Sequence, residues 1–421
     1  MRTMIKDIKD GASGTPWHET VKDDFPIFGA AMNNRPVVYL DSASSAQKPR
    51  AVIAAMSGAM EHYYANIHRG LYAFSQQMTA EFEAVRGKLA AFINAASDKE
   101  IIFTRNTTEA INLVVNSWGR ANLKVGDEII LTAMEHHANI VPWQILQKEL
   151  GFAIRVIPVL DDGWLDLAAL PNLLCERTKM LAFVHVSNVL GTVNPAAQMI
   201  RTVKAFNPAI MTLVDASQSA VHGTLDVQAL GCDFLCMTGH KLYGPTGAGV
   251  LYGRYDVLDK MPPWMGGGDM IVSVDFAGTT FQDPPHRFEA GTPSFIDVIG
   301  LGAAIDYMTG IGMDAVKARE DGVFTLLSAA LADFDGITVM GTTAGKAPVL
   351  SFTADWAHAS DLNMILDQCG VCVRTGKHCA EPLMKRFGVE ASIRASLGLY
   401  NDENDVDRFA EAMRKARKML A

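Results

Sequence analysis

The reactive side chains of this sequence collect where apolar runs end. Lys241 follows the run 233–237 and stands between His240 and a Leu-Tyr-Gly-Pro turn. A lysine at the floor of a pocket loses its proton cheaply and can form a Schiff base with an aldehyde. Taken alone, it reads better as an exposed lysine capping a strand. Asp215 changes that balance. It closes Met-Thr-Leu-Val, a run apolar enough to be buried, and a buried carboxylate needs a partner. The protonated ring nitrogen of pyridoxal phosphate is such a partner, with Gln218 placed to donate to the ring's phenolate oxygen. The plainer reading is an Asp that caps the next helix.

Thr107 and Thr108 open a helix after the run 101–104, where hydroxyls and free amides suit a phosphate or serve as a simple cap. His136 and His137 can stack on a ring, bind metal or sit in the core. Neighbours on a strand face opposite ways, and no carboxylate-rich partner motif stands nearby, so no metal site is expected. Arg374-Thr-Gly-Lys-His-Cys379 sets a cysteine among cations, which favour the thiolate, with a glycine that lets the loop bend. That loop is expected to be exposed and flexible, to let a product out. Arg394 can grip a carboxylate by two prongs or make a surface ion pair. Cys369 and Cys372 form a lone CxxC, better read, like Cys232 and Cys236, as buried strand cysteines than as a zinc or redox motif.

These groups need a scaffold that brings strand ends together. The runs 37–40, 101–104, 128–131, 155–159, 181–186, 211–214 and 233–237 are strand-like, and helix-length stretches such as 108–118 and 140–150 lie between several of them. Continuous apolar strands with helical crossovers indicate a mostly parallel sheet covered on both faces, with ligands beyond the strands' carboxyl ends. From about residue 300 the pattern changes: a helix over 299–310, strands at 349–353 and 371–374, and a last helix describe a smaller α+β domain. The expected division is an arm over 1–24, a large domain over 25–298 and a small domain over 299–421.

Apolar residues make up 49% and charged residues 20% of the 421, enough for large cores and too ordered in composition for disorder. A net charge of −9 argues against nucleic acid or an anionic membrane as partner. No run approaches the ~20 apolar residues of a membrane span, and residues 1–10 lack the apolar centre of a secretory signal. Six cysteines without a regular framework suit a reducing cytoplasm.

Together these clusters resemble a known family. Residues 40–49, 134–143, 185–192, 239–247, 288–293 and 374–379 look like those of class V aminotransferases, a branch of the fold-type I pyridoxal-phosphate enzymes, and within it of SufS-type (group II) cysteine desulfurases. The resemblance runs from about Phe25 to the end. It implies a mainly parallel, seven-stranded sheet in the large domain, with Lys241 as Schiff-base lysine. Asp215 would face the ring nitrogen, Gln218 the phenolate, and His136 the ring face. Thr108, Thr238 and His240 would hold the phosphate, with Thr292 reaching in from a second subunit of a homodimer. Asn188, Arg374 and Arg394 would bind the carboxylate of L-cysteine. Cys379 would take its sulfur as a persulfide, release alanine, and pass the sulfur to an acceptor protein for iron–sulfur cluster assembly.

Three positions depart from that pattern. Tyr72 stands where relatives place a histidine, which puts a proton relay there in question. Lys377 replaces a histidine, and its fixed charge is expected to favour the Cys379 thiolate. Ser360 occupies the place of the histidine that accompanies a zinc-bearing SufU-type acceptor, which favours a SufE-type acceptor. A selenocysteine lyase has the same sequence requirements. An aminotransferase or kynureninase-like enzyme of the same fold would not need Cys379. A thiol or zinc protein built on Cys369, Cys372 and the histidines would bind zinc and show no chromophore.

Overall fold

In the computed structural model, residues 17–421 are described; residues 1–16, including the stretch read above as no secretory signal, lie outside them. The apolar runs pair into one seven-stranded sheet. Across it lie Ile101–Thr104, Gly249–Gly253, Phe234–Thr238, Met211–Asp215, Thr178–Val184, Glu128–Thr132 and Ala153–Ile157. Gly249–Gly253 runs antiparallel to both of its neighbours, and the other pairings are parallel. Helices cover both faces, and two apolar cores result, one on each side.

Six of the seven expected runs belong to this sheet. The seventh place goes to Gly249–Gly253, a short run bounded by glycines that carries little strand signal. Gly249 is needed there: a Cβ would fall 2.4 Å from the backbone of Asn106, the residue that opens helix Thr107–Val114. The remaining run, 37–40, contributes only Val38–Tyr39. It pairs with Val371–Cys372, and Val38 and Leu40 join a third core with Phe352, Leu366 and Phe409. That core lies under a second, antiparallel sheet of Ile337–Met340, Val349–Ala354, Ser392–Ser396 and Arg374–Gly376. Helices Met313–Ala332, Ala359–Gln368 and Glu403–Leu420 pack on it, which is the α+β arrangement expected for the C-terminal part.

The run 371–374 therefore divides between two sheets. Cys369 ends helix Ala359–Gln368 and is half-buried, as is Cys372, whose Sγ lies 3.7 Å from Met32 Sδ. Neither is the fully buried strand cysteine expected, whereas Cys232 and Cys236 are buried. Helix Phe295–Ile311 is apolar because it lies buried between other helices. Among the described residues no single helix is long and apolar enough to cross a membrane.

Candidate active site

The parallel strands end at a cavity of about 230 Å³. Its lining includes Thr108, His136, Asn188, Asp215, Gln218, Thr238, His240, Lys241, Arg374, Arg394 and Cys379, so residues far apart in the chain meet in one place.

Asp215 and Thr238 are the last residues of adjacent strands. Asp215 Oδ1 accepts the Ser217 N–H at 2.9 Å and its hydroxyl at 2.6 Å, while Oδ2 has no protein donor among the described residues. Lys241 sits in the turn after Thr238, closed by the Leu242 and Gly244 amides on the Gly239 carbonyl. Burial pushes its ammonium down to about 8, outweighing the attraction of Asp215. At pH 7 about a tenth of the lysine is then neutral, against about one part in three thousand for an ordinary lysine. That difference favours a nucleophilic amine over a surface cation.

His136 opens the turn after Glu128–Thr132. Its Nδ1 accepts the Ala138 N–H at 3.1 Å. Burial, helped by Lys241, pushes it down to about 4, so the ring is neutral with its proton on Nε2. Burial likewise pushes His240 down to about 4. Asn106 caps helix Thr107–Val114 through the Glu109 N–H, and the amides of Thr107 and Thr108 begin the helix without intrahelical partners. Thr107 Oγ1 lies 2.8 Å from Ser217 Oγ, tying this helix to the Asp215 turn.

The opposite wall comes from the second sheet. Arg394 is 1% exposed, so the surface ion pair is excluded. Its Nη1 donates to the Asn188 carbonyl at 2.8 Å and its Nη2 to Asp41 Oδ1 at 3.1 Å and Ser44 Oγ at 2.6 Å, leaving Nε buried without a partner. Burial pushes this guanidinium down to about 10. Arg374 reaches the same Ser44 hydroxyl at 2.7 Å, and its Nη2 lies 3.9 Å from Cys379 Sγ. Asn188 Nδ2 donates to the His378 carbonyl at 2.8 Å, and the His137 N–H to the Cys379 carbonyl at 2.8 Å. Cys379 is thus half-buried and braced, not the exposed loop residue expected.

Three residues fall outside the cavity. Thr292 is exposed and lines a second cavity of about 250 Å³ with Arg105 and Glu109. Tyr72 is exposed at the start of helix Ala73–Phe92. Lys377 pairs with Glu381 Oε1 at 2.8 Å, so its charge is met at the surface and is not directed at Cys379. Conversely, Ser44, Ser217 and His378 line the cavity without having been singled out. Ser and His in loops carry no pattern that would mark them; only the close pairing of Ser44 with two arginines does.

The residues present fit pyridoxal phosphate. Buried Thr238 Oγ1 and Arg394 Nε, both able to donate, have no partner among the described residues, and both residues line the cavity. Buried polar groups are normally satisfied. Here the unmet set combines with a free carboxylate oxygen, a lysine with a lowered pKa and a helix N-terminus, matching the ring nitrogen, aldehyde and phosphate of that cofactor.

Residues 38–409 match the family model described as aminotransferase class-V. Curated cysteine desulfurases from Dickeya dadantii and Serratia proteamaculans are 48% and 49% identical over 403 residues, 96% of this chain and 97% and 98% of theirs. The crystal structure of the cysteine desulfurase CsdA from Escherichia coli aligns with a TM-score of 0.89 at 38% identity, covering 96% of this chain and 99% of that one. A cysteine desulfurase structure from Thermococcus onnurineus aligns with a TM-score of 0.90 at 36% identity, covering 96% and 98%. The α/β fold described above is the one these structures share.

Proposed function

We propose a division of labour for the site of this chain, which belongs to the aminotransferase class-V family and is a pyridoxal-phosphate-dependent cysteine desulfurase. When bound, the cofactor supplies an electron sink that lets the bond between substrate Cβ and sulfur break. Lys241 Nζ would hold the cofactor and, as a buried amine with a lowered pKa, would take the substrate's α-proton. Asp215 Oδ2 would meet the ring nitrogen and keep it protonated, and the neutral His136 side chain would stack on the cofactor. Gln218 has one N–H on the Ala43 carbonyl at 2.9 Å and a second left for the phenolate oxygen. Thr108, Thr238 and His240 hold the phosphate. Asn188 and Arg394, with Arg374 beside them, would bind the substrate carboxylate between one buried and one half-buried cation.

Cys379 Sγ forms a bond to the substrate sulfur as the Cβ–S bond breaks, and Cβ is then protonated. L-Cysteine and the Cys379 thiol thus become L-alanine and a Cys379 persulfide. The observation that carries this reading is that Asp215, Lys241 and Cys379 line one cavity of about 230 Å³. Intact-mass measurement after L-cysteine, for the wild type beside Cys379→Ser, tests it: a gain of one sulfur only when Cys379 is present is expected. A yellow protein that never gains sulfur would redirect the site to aminotransferase chemistry.

A homodimer completes the site in this reading. Thr292 lies outside its own cavity, and Leu71, Phe74, Val272, Val274 and Phe276 are exposed large apolar side chains of the kind a partner covers. Residues 25–298 supply most of the cofactor domain and 299–421 most of the small domain, but the expected boundary is not clean: helix Phe295–Ile311 packs in the large domain's core and Val38 and Leu40 in the small domain's. Of the arm, the described residues 17–24 meet the small domain through Lys22, whose Nζ pairs with Asp402 and Asp405 at 3.0 and 2.7 Å. The persulfide passes to a SufE-type acceptor for iron–sulfur assembly in a reducing cytoplasm, with selenocysteine as an alternative substrate. Stimulation of turnover by a SufU-type protein alone would count against the acceptor assignment.

A further inference from the structure

Glu135 is wholly buried beside His136, and among the described residues no cation pairs with it. Burial pushes its carboxyl up to about 8. Such a group is costly to keep in a core, and its hydrogen bonds show what it does there. Oε1 accepts the Val184 N–H at 2.9 Å and Oε2 accepts Asn139 Nδ2 at 2.8 Å. The Asn139 amide cannot turn over, because its Oδ1 accepts the indole Nε1 of Trp143 at 3.1 Å and an indole only donates. The Thr132 hydroxyl lies 2.5 Å from Oε1 and can donate or accept, so either protonation state of Glu135 is satisfied. Two obligatory donors face two oxygens, which a glutamine cannot match.

Those bonds join the end of strand Glu128–Thr132, the cavity residue Val184 and the short helical turn His137–Asn139. The same turn faces two ways. The Asn139 N–H meets the His136 carbonyl at 2.9 Å, and the Ala138 N–H meets His136 Nδ1. On its other side the His137 N–H holds the Cys379 carbonyl, and His137 Nε2 accepts the Glu381 N–H at 3.1 Å. We propose that Glu135 is a positioning residue that fixes, through this one turn, both the His136 ring in the cavity and, by way of His137, the loop that carries Cys379. This rests on the functional reading above, in which His136 faces the cofactor and Cys379 takes the sulfur.

The test compares holoenzyme carrying Glu135→Gln, Asn139→Asp and both together. It reads retention and visible spectrum of the bound cofactor, and iodoacetamide alkylation at the Cys379 peptide. Glu135→Gln leaves a buried donor unmet and Asn139→Asp sets a second carboxyl against Glu135 in place of an amide donor, and each is expected to weaken cofactor retention and alter the alkylation rate by about tenfold. In the double variant the introduced glutamine amide donates to the introduced carboxylate, which restores the original bond with its polarity reversed. The second oxygen of that carboxylate still accepts Trp143. Both readouts are expected within about threefold of wild type. A Glu135→Gln protein with a lower thermal midpoint but wild-type spectrum and alkylation would overturn the proposal, as would a double variant no better than the singles. His137→Ala keeps Glu135 intact and serves if the singles do not fold. It is expected to alter alkylation with the spectrum unchanged, and an unaltered alkylation rate would refute the part of the route that runs through the His137 ring to the Glu381 N–H. Sulfur acceptance by Cys379→Ser would instead sink the functional reading, leaving the spectral outcomes to judge the positioning role.

Discussion

The floor and the roof of the cavity are built differently. Asp215 and Thr238 end neighbouring strands, so ladder bonds along Met211–Asp215 and Phe234–Thr238 set their positions, and no single bond decides them. The roof turns on His378 and Cys379, both left-handed at φ +51° and +57°, after Gly376 at φ +109°. Non-glycine residues there cost on the order of 1–3 kcal/mol each and persist only when their surroundings hold them. Three contacts do so: Asn188 on the His378 carbonyl, His137 on the Cys379 carbonyl, and Ser392 Oγ at 2.9 Å from His378 Nε2. At about 1 kcal/mol per hydrogen bond, the three together are of the same order as the strain and leave no large surplus. In the proposed division of labour, electron withdrawal would thus rest on a rigid sheet and sulfur capture on a loop that a few contacts can shift.

The widest separation between the two regions is expected from Asp215→Ala. Turnover should fall about a thousandfold, the scale of losing a preorganised charge, while Cys379 alkylation stays within about twofold. An altered alkylation rate would show that the floor and roof are not independent. A smaller effect lies in the pH dependence of the floor. Lys241 titrates near 8 in the folded chain and near 10.5 in the unfolded one. Between those values the unfolded chain holds a proton that the folded chain has lost, so stability rises with pH. In cofactor-free protein, Lys241→Met should therefore be more stable than wild type by about 3 kcal/mol below pH 8, a gap that closes towards pH 10.5 in denaturant unfolding. A gap independent of pH would mean that the lysine's burial is not its cause.

On the roof, Asn188→Ala removes one of the three contacts. It should lower turnover and change Cys379 alkylation by about tenfold, with the cofactor spectrum unchanged. A spectral shift would place Asn188 with the floor. The smallest effect is expected from Lys377→Ala. Its ammonium is held by Glu381 at the surface, where ion pairs contribute little, and alkylation of Cys379 should move less than twofold. A larger change would restore the role that charge alone suggests for it.

Much of the floor was legible beforehand because it obeys a local rule: apolar runs ending in Asp215, Thr238 and Lys241 announce a parallel sheet with a site at its edge. The strand Gly249–Gly253 was not, since its glycines serve a close approach to Asn106 that no local pattern displays. Nor was Glu135, which as a sequence letter resembles any polar residue before a histidine pair.

The order of residues along the chain therefore determined the α/β class, because strand period is a property of neighbours in sequence, while the roles expected of Lys241, Asp215 and Cys379 came from the resemblance of whole segments to class V aminotransferases. Only the tertiary structure decided that Val38–Tyr39 pairs with Val371–Cys372, that Arg394 is buried against Asp41, Ser44 and Asn188, and that Lys377 turns to Glu381 and not to Cys379. Those outcomes depend on which distant segments share a core and which partner a long side chain reaches first, and neither is encoded in any window of adjacent residues.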